Sequence, residues 1–176
     1  MSLRPEAQER PEISVLEQTP IIIEKMLFAA TREQLHWKPA ADRWSIGEVL
    51  AHLVEVEKVF RQRARNMVEQ DVPFLESYDQ NAAYNAGVYS SKDATEQLRQ
   101  FCHERDHTVT WLRYLLAGVA ARTGRHAELG TITVAELLSE WAFHDLGHIK
   151  QISELYRARA FYPRMGGFQR YYTVHP

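Results

Sequence analysis

The sequence predicts an all-α protein that folds as one four-helix bundle. Four long segments repeat apolar residues at helical spacing, and no segment shows a convincing alternation of apolar and polar residues. A chain of 176 residues is long enough to bury a substantial core and close to the common size of one domain. We see no internal repeat or dividing linker, so we treat 1–176 as one domain with about ten irregular N-terminal residues and a C-terminal tail.

The first two long helices are predicted at 13–30 and 45–69. Pro20 either opens the first helix behind Thr19 or kinks it, because proline suits a first turn and damages a helix interior. The sequence TREQ, residues 31–34, has the form of a capping box for a short helical turn. The second long helix begins with another capping box, SIGE, so its start is clearly defined.

The second half of the chain carries two further predicted helices, at 91–122 and 133–157. The aperiodic segment 71–90 before them is long enough to cross the bundle, so the second and third helices are predicted to run parallel. The short segment between the last two helices predicts that they are antiparallel neighbours. The aromatic tail, 160–176, is predicted to pack over one bundle end or a dimer partner.

Composition excludes several classes of function. The 21 basic and 23 acidic side chains include no long basic cluster, so nucleic acid is not an expected ligand. No segment approaches the roughly 20 apolar residues of a membrane span. A single cysteine, Cys102, rules out an intramolecular disulfide and an all-thiolate metal site within one chain. We expect a soluble, cytoplasmic protein.

Helical geometry separates the eight histidines. A helix turns about 100° per residue, which places His144 and His148 inside the apolar stripe of the fourth helix, one turn apart. His52 lies on one flank of the stripe of the second helix, where it can face an adjacent helix. The others are predicted on the solvent side of the third helix, in loops or in the tail: His103, His107, His36, His126 and His175.

Three imidazoles aimed at one core are costly without partners, since each neutral ring needs both a donor and an acceptor satisfied. A divalent metal resolves this cost, because two histidines at i and i+4 and a third from a facing helix supply three nitrogens to one ion. The alternative is that each is a hydrogen-bonded core histidine. The inward pair at 144 and 148, with His52, favours the metal site.

Two stretches, RWSIGEVLAHLVEVE and WAFHDLGHIKQI, resemble the DinB-like (DinB/YfiT) superfamily of metal-binding four-helix bundles. The resemblance covers about 13–156. Carried over residue by residue, the three metal ligands of that family fall on His52, His144 and His148. The resemblance also implies an up-down-down-up bundle with a long crossover between helices two and three, and a homodimer.

The first functional hypothesis is a divalent-metal enzyme acting on a small molecule, with zinc and nickel as the first candidates. The resemblance implies thiol-dependent transfer as one form of this chemistry. Cys102 lies near an apolar stripe and is expected to be inert, so a low-molecular-weight thiol would be supplied as a cofactor. Arg105 is predicted to bind a carboxylate of that cofactor or of the substrate. Its alternative roles are an ion pair with a neighbouring acid and a side chain extended to a bundle edge.

The second hypothesis is a non-catalytic bundle braced by metal, with a stress-response or partner-binding role. A fourth ligand from Asp145, Glu55 or the tail would favour it, because structural sites are closed. Asp145 is otherwise expected to orient a ligand imidazole or form a salt bridge, and Glu55 to be solvated. A third possibility is a metal-free pocket lined by aromatic residues: Trp37, Trp44, Trp141 and the tail tyrosines.

Overall fold

The structure is a computed structural model that describes residues 10–115 and 118–174. In these ranges the chain forms six α-helices and three short strands. The helices are α1 (Pro11–Leu27), α2 (Arg32–His36), α3 (Ile46–Glu69), α4 (Gln80–Asn85), α5 (Ala94–Arg113) and α6 (Val134–Ala160). The strands are β1 (Phe74–Leu75), β2 (Thr123–His126) and β3 (Gly130–Thr133). None of the described helices is long and apolar enough to cross a membrane.

The helices α3 and α5 run parallel, as the long segment between them predicts. At one end, a Cβ built on Gly47 would lie 3.2 Å from the Cβ of Ala94. Towards the other end, the guanidinium carbon of Arg65 lies 5.2 Å from the ring centroid of Trp111. Residue numbers therefore increase in the same direction along both helices, which makes the helices parallel.

The helices α1 and α6 run opposite to α3 and α5. On α3 and α6, His52 contacts His148, whereas Phe60 stacks on Trp141, so the pairing runs in opposite directions. On α1 and α5, Glu17 pairs with Arg113 and Glu24 lies beside Cys102, again in opposite directions. The up-down-down-up four-helix bundle is therefore confirmed.

The first helix differs from its prediction at both ends and continues through Pro20. It begins at Pro11 and ends at Leu27, and Pro20 is buried in its interior. The hydroxyl of Thr19 donates a hydrogen bond to the carbonyl of Val15 at 2.8 Å, within the turn that precedes the proline. Pro20 therefore lies inside the helix and does not open it. The three predicted capping boxes, at Thr31, Ser45 and Thr133, are all present.

The prediction that the third helix reaches residue 122 is wrong. It ends at Arg113, and Gly118 takes a left-handed φ of 101°, which an α-helix does not accommodate. The segment predicted as a simple loop before the last helix contains β2 and β3, paired antiparallel, and β1 joins β2 in parallel. Strands of two to four residues are too short to show an alternating pattern in sequence.

This hairpin also changes which helices are neighbours. The prediction that the last two long helices are neighbours is wrong, although their predicted antiparallel direction is correct. They are antiparallel, but α5 packs mainly on α3 and α1, and α6 mainly on α1 and α3. They therefore lie diagonally across the bundle, because the segment that connects them forms the strands β2 and β3 of the small sheet. Gly124 allows that sheet to approach α3, since a Cβ there would lie 2.9 Å from Leu75 and 3.0 Å from Met67.

The buried core has two parts that are stacked along the bundle. One contains Phe60 and Trp141, and the other contains Leu53 and Ile152. On α6, the positions between Trp141 and Ile152 include both inward histidines. The core therefore has a polar layer between its two apolar parts, and this layer holds the candidate site.

Candidate metal centre

The three predicted histidines meet in this polar layer. The Nε2 atom of His144 lies 3.2 Å from Nε2 of His52 and 3.1 Å from Nε2 of His148. In the described part of the chain, these three residues are the group of potential metal ligands whose atoms all lie within 4.8 Å of one another. His52 is fully buried, and the other two are half-buried. One helix supplies the i, i+4 pair and the facing antiparallel helix supplies the third ring.

All three imidazoles are held in the neutral form. Burial and the two neighbouring imidazoles lower the pKa of His52 from 6.5 to about 3. Burial, the ring of His148 and the charge of Arg105 likewise lower the pKa of His144 to about 3. Burial also lowers the pKa of His148. The Nδ1–H of His148 donates to Oε1 of Gln151 at 2.8 Å, which leaves its Nε2 as a bare lone pair. Neutral rings with free nitrogen lone pairs are the form that metals bind.

A divalent ion fits this arrangement better than hydrogen bonds between the rings. Nε2 of His148 carries no proton, so a hydrogen bond between His148 and His144 requires a proton on Nε2 of His144. With that proton, Nε2 of His144 has no lone pair left to accept a hydrogen bond from His52. The buried Nδ1 atoms of His52 and His144 have no hydrogen-bond partner in residues 10–115 and 118–174. Protons on these two Nδ1 atoms free all three Nε2 lone pairs to converge on one ion.

The two acids considered from the sequence are both engaged elsewhere. Asp145 is fully buried and accepts two hydrogen bonds from Arg105, at 2.5 Å and 3.1 Å. This is the salt bridge that the sequence offered as one of its roles. Glu55 is half-buried and accepts a hydrogen bond from the hydroxyl of Tyr89 at 2.5 Å. The prediction that Glu55 is solvated is therefore wrong. Neither carboxylate belongs to the converging group of ligand atoms.

Arg105 lies in the interior and is only 1% exposed. Its guanidinium donates to Glu57 at 2.8 Å, to the carbonyl of Leu16 at 2.7 Å and twice to Asp145. These contacts are the ion pair named as the alternative to its predicted cofactor role. A cofactor carboxylate would have to compete with both of these carboxylates, so the structure gives Arg105 an ion-pair role in place of the predicted cofactor-binding role.

Aromatic side chains that the sequence did not assign to the site surround His52. The ring of Trp44 meets it edge-on at 5.2 Å, and the rings of Tyr89 and Tyr78 lie 6.0 Å and 6.4 Å away. The two tyrosine hydroxyls are 2.9 Å apart, and Tyr89 donates onward to Glu55. Burial raises the pKa of Tyr78 to about 12, so its hydroxyl keeps its proton at neutral pH. These tyrosines lie in the aperiodic crossover, where no pattern in the sequence marked them.

The other residues singled out from the sequence do not belong to the converging group of ligand atoms. His103 and His107 are exposed on α5, as predicted, and Trp141 belongs to the core. Burial raises the pKa of the half-buried Cys102 thiol, which agrees with the inert role expected for it. His36 ends α2, His126 is buried at the end of β2, and Trp37 packs against the core. His175 lies outside the described residues.

Gln151 accepts a hydrogen bond from the ring of His148, one of the three candidate ligands. It lies one turn after His148, and its role was not recognised although it belongs to the quoted HDLGHIKQI motif. We expect Gln151→Ala to weaken zinc binding by about 10- to 100-fold, because partners of ligand imidazoles have effects of that size. Competition with a chromophoric chelator measures this affinity.

The matched control is Gln62→Ala, because Gln62 is exposed on α3 and bonds only Asn66 among the described residues. Its zinc affinity should equal that of the wild type. Equal affinities in both variants would show that the bond from His148 to Gln151 does not support the site.

The fold and site together define a class: an up-down-down-up helical bundle with three inward histidines that could hold a divalent metal. A family model described as the DinB superfamily matches residues 16–152. The chain belongs to the DinB superfamily, so the family indicated by the two sequence stretches is confirmed.

Two relatives extend this identification. A protein of Oceanobacillus iheyensis, named "Putative metal-dependent hydrolase OB0782", is 23% identical over 149 residues, which cover 81% of this chain and 83% of the relative. The solved structure of YfiT from Bacillus subtilis matches with a TM-score of 0.77 and 22% identity, over 90% of this chain and 93% of YfiT. YfiT is described as a probable metal-dependent hydrolase with an unusual four-helix bundle topology. This structural similarity to YfiT establishes the fold of the chain.

Proposed function

We propose that this protein is a divalent-metal-dependent enzyme that hydrolyses a small molecule. The observation that carries the proposal is the set of three converging Nε2 atoms, which is joined by no fourth protein ligand among the described residues. Catalytic sites keep a position open for water or substrate, whereas structural sites are closed by four protein ligands. The names of the two relatives support the same class of reaction.

Asp145 and Glu55 already have hydrogen-bond partners, and this argues against a closed, purely structural site. Asp145 would have to leave Arg105, and Glu55 would have to leave Tyr89, before either could become a fourth ligand. Moving Asp145 would also leave a buried guanidinium with fewer partners, which is costly. The non-catalytic bundle therefore has less support than the enzyme.

The chemistry follows from the donor set. A divalent ion held by His52, His144 and His148 would supply a Lewis acid, which would polarise an oxygen of the substrate and lower the pKa of a water or thiol. The chain itself supplies the three lone pairs, and Gln151 holds the ring of His148. The rings of Trp44, Tyr78 and Tyr89 shield one side of the centre from bulk water.

A thiol-dependent S-transferase is the second form of this proposal. Any thiol would come from outside the chain, because the single cysteine, Cys102, lies on α5 outside the group of converging ligand atoms. Zinc and nickel remain the proposed ions, and a homodimer remains a prediction from the family resemblance.

The test uses protein that is stripped with a chelator and reloaded with zinc or nickel. Turnover is screened on activated esters, amides and lactones, in water alone and with low-molecular-weight thiols. We expect turnover to require the metal, to be absent in His144→Ala and to persist in the double control His103→Ala/His107→Ala. Turnover that survives both metal removal and His144→Ala would overturn the proposal, as would a bound metal closed by four protein ligands.

A further inference from the structure

A pocket of about 200 Å³ adjoins the candidate centre on α6. Two of its lining residues also touch the histidines. Trp44 meets the ring of His52 edge-on, and Gln151 accepts the hydrogen bond from His148. A molecule in this pocket would therefore contact two residues that touch the candidate ligands.

Two basic residues, Arg43 and Lys150, belong to the lining of the pocket. Among the described residues, no carboxylate oxygen lies within 4.0 Å of the Lys150 ammonium, so no ion pair neutralises this lysine. Gln151 also lines the pocket, and because its Oε1 accepts the hydrogen bond from His148, its amide N–H groups remain as donors. Glu154, the acid in the lining, accepts a hydrogen bond from Arg157 at 3.3 Å.

We propose that this pocket binds the anionic end of a small-molecule substrate, typically a carboxylate, with Lys150 as its main cationic contact. The inference rests on the proposed function, because it assumes that the reacting end of the same molecule reaches the metal centre. A small pocket that is lined by Lys150, which no described carboxylate neutralises, and by the amide of Gln151 favours an acceptor-rich anion. Lys150 is a specificity-determining residue in this account and takes no part in holding the metal.

The experiment uses cobalt-loaded protein and three short thiols that differ in charge: 3-mercaptopropionate, 2-mercaptoethanol and cysteamine. Thiolate binding to cobalt gives a charge-transfer absorption band, so each affinity is measured without turnover. Because the thiols differ in their own acidity, the quantity compared is the affinity ratio of 3-mercaptopropionate to cysteamine in each variant. We expect Lys150→Glu to lower this ratio by about 10-fold or more, and Lys150→Gln to lower it by less.

The matched control is Lys25→Glu, which makes the same change in net charge at an exposed position on α1. Its ratio should equal that of the wild type. An unchanged ratio in Lys150→Glu, an equal fall in both charge reversals, or cobalt-loaded protein that binds no thiol would each overturn the inference. Failure of the wild type to bind cobalt at all would instead overturn the proposed function, so the two failures are distinguishable.

Discussion

The variant His144→Ala is expected to lose its divalent metal. Nε2 of His144 lies within 3.2 Å of both other Nε2 atoms, so its removal takes away the central nitrogen of the three. The loss in zinc affinity should exceed the roughly 10- to 100-fold effect of removing an outer partner such as Gln151. Elemental analysis of protein loaded and then desalted should fall from about one zinc per chain to background, and His52→Ala should behave in the same way.

The matched control is the double variant His103→Ala/His107→Ala. These residues have the same i, i+4 spacing on α5, with ring centroids 4.6 Å apart, but both are exposed and no third histidine of the described residues joins them. Its tightly bound zinc should equal that of the wild type. Equal zinc content in wild-type protein and His144→Ala would contradict the assignment of the centre.

The variant Arg105→Met is expected to unfold far more easily than the wild type. It leaves Glu57 and Asp145 buried, 1% and 0% exposed, without the cation that neutralises them. Burial already raises the pKa of Glu57 although Arg105 lies beside it. Removing one partner of a buried ion pair costs about 3–5 kcal/mol, which lowers the Tm of a chain of this size by roughly 6–20 °C. Thermal unfolding followed by circular dichroism measures this.

The control for this prediction is Arg99→Met. Arg99 pairs with Glu96 at 2.6 Å, but both side chains are largely exposed. The Tm of Arg99→Met should match that of the wild type, because exposed ion pairs contribute little. A Tm for Arg105→Met within about 2 °C of the wild type would show that the buried charges are not a stabilising cluster.

The convergence of the three histidines could be predicted because it depends on helical periodicity. The angular positions of His144 and His148 follow from their spacing in one long helix, and His52 falls on one flank of the stripe of another, where it can face an adjacent helix. The capping boxes fixed where these helices begin, at Ser45 and Thr133, so the phase of each stripe was well defined.

The surroundings of the centre could not be predicted because they depend on tertiary packing. Tyr78 and Tyr89 come from an aperiodic crossover, and only the folded chain brings their hydroxyls within 2.9 Å of each other. Arg105 was recognised as an unusual charge on an apolar stripe, but its partners Glu57 and Asp145 lie 48 and 40 residues away in sequence. The strands β2 and β3 were missed because four residues carry too little periodic signal.

The most direct test of the central claim is the coordination sphere of the metal-loaded protein, from a crystal structure or X-ray absorption. The account predicts three nitrogen ligands, Nε2 of His52, His144 and His148, at about 2.0–2.1 Å for zinc, and at least one position taken by water or another small ligand. A fourth ligand from the protein, or a metal bound at other residues, would contradict it.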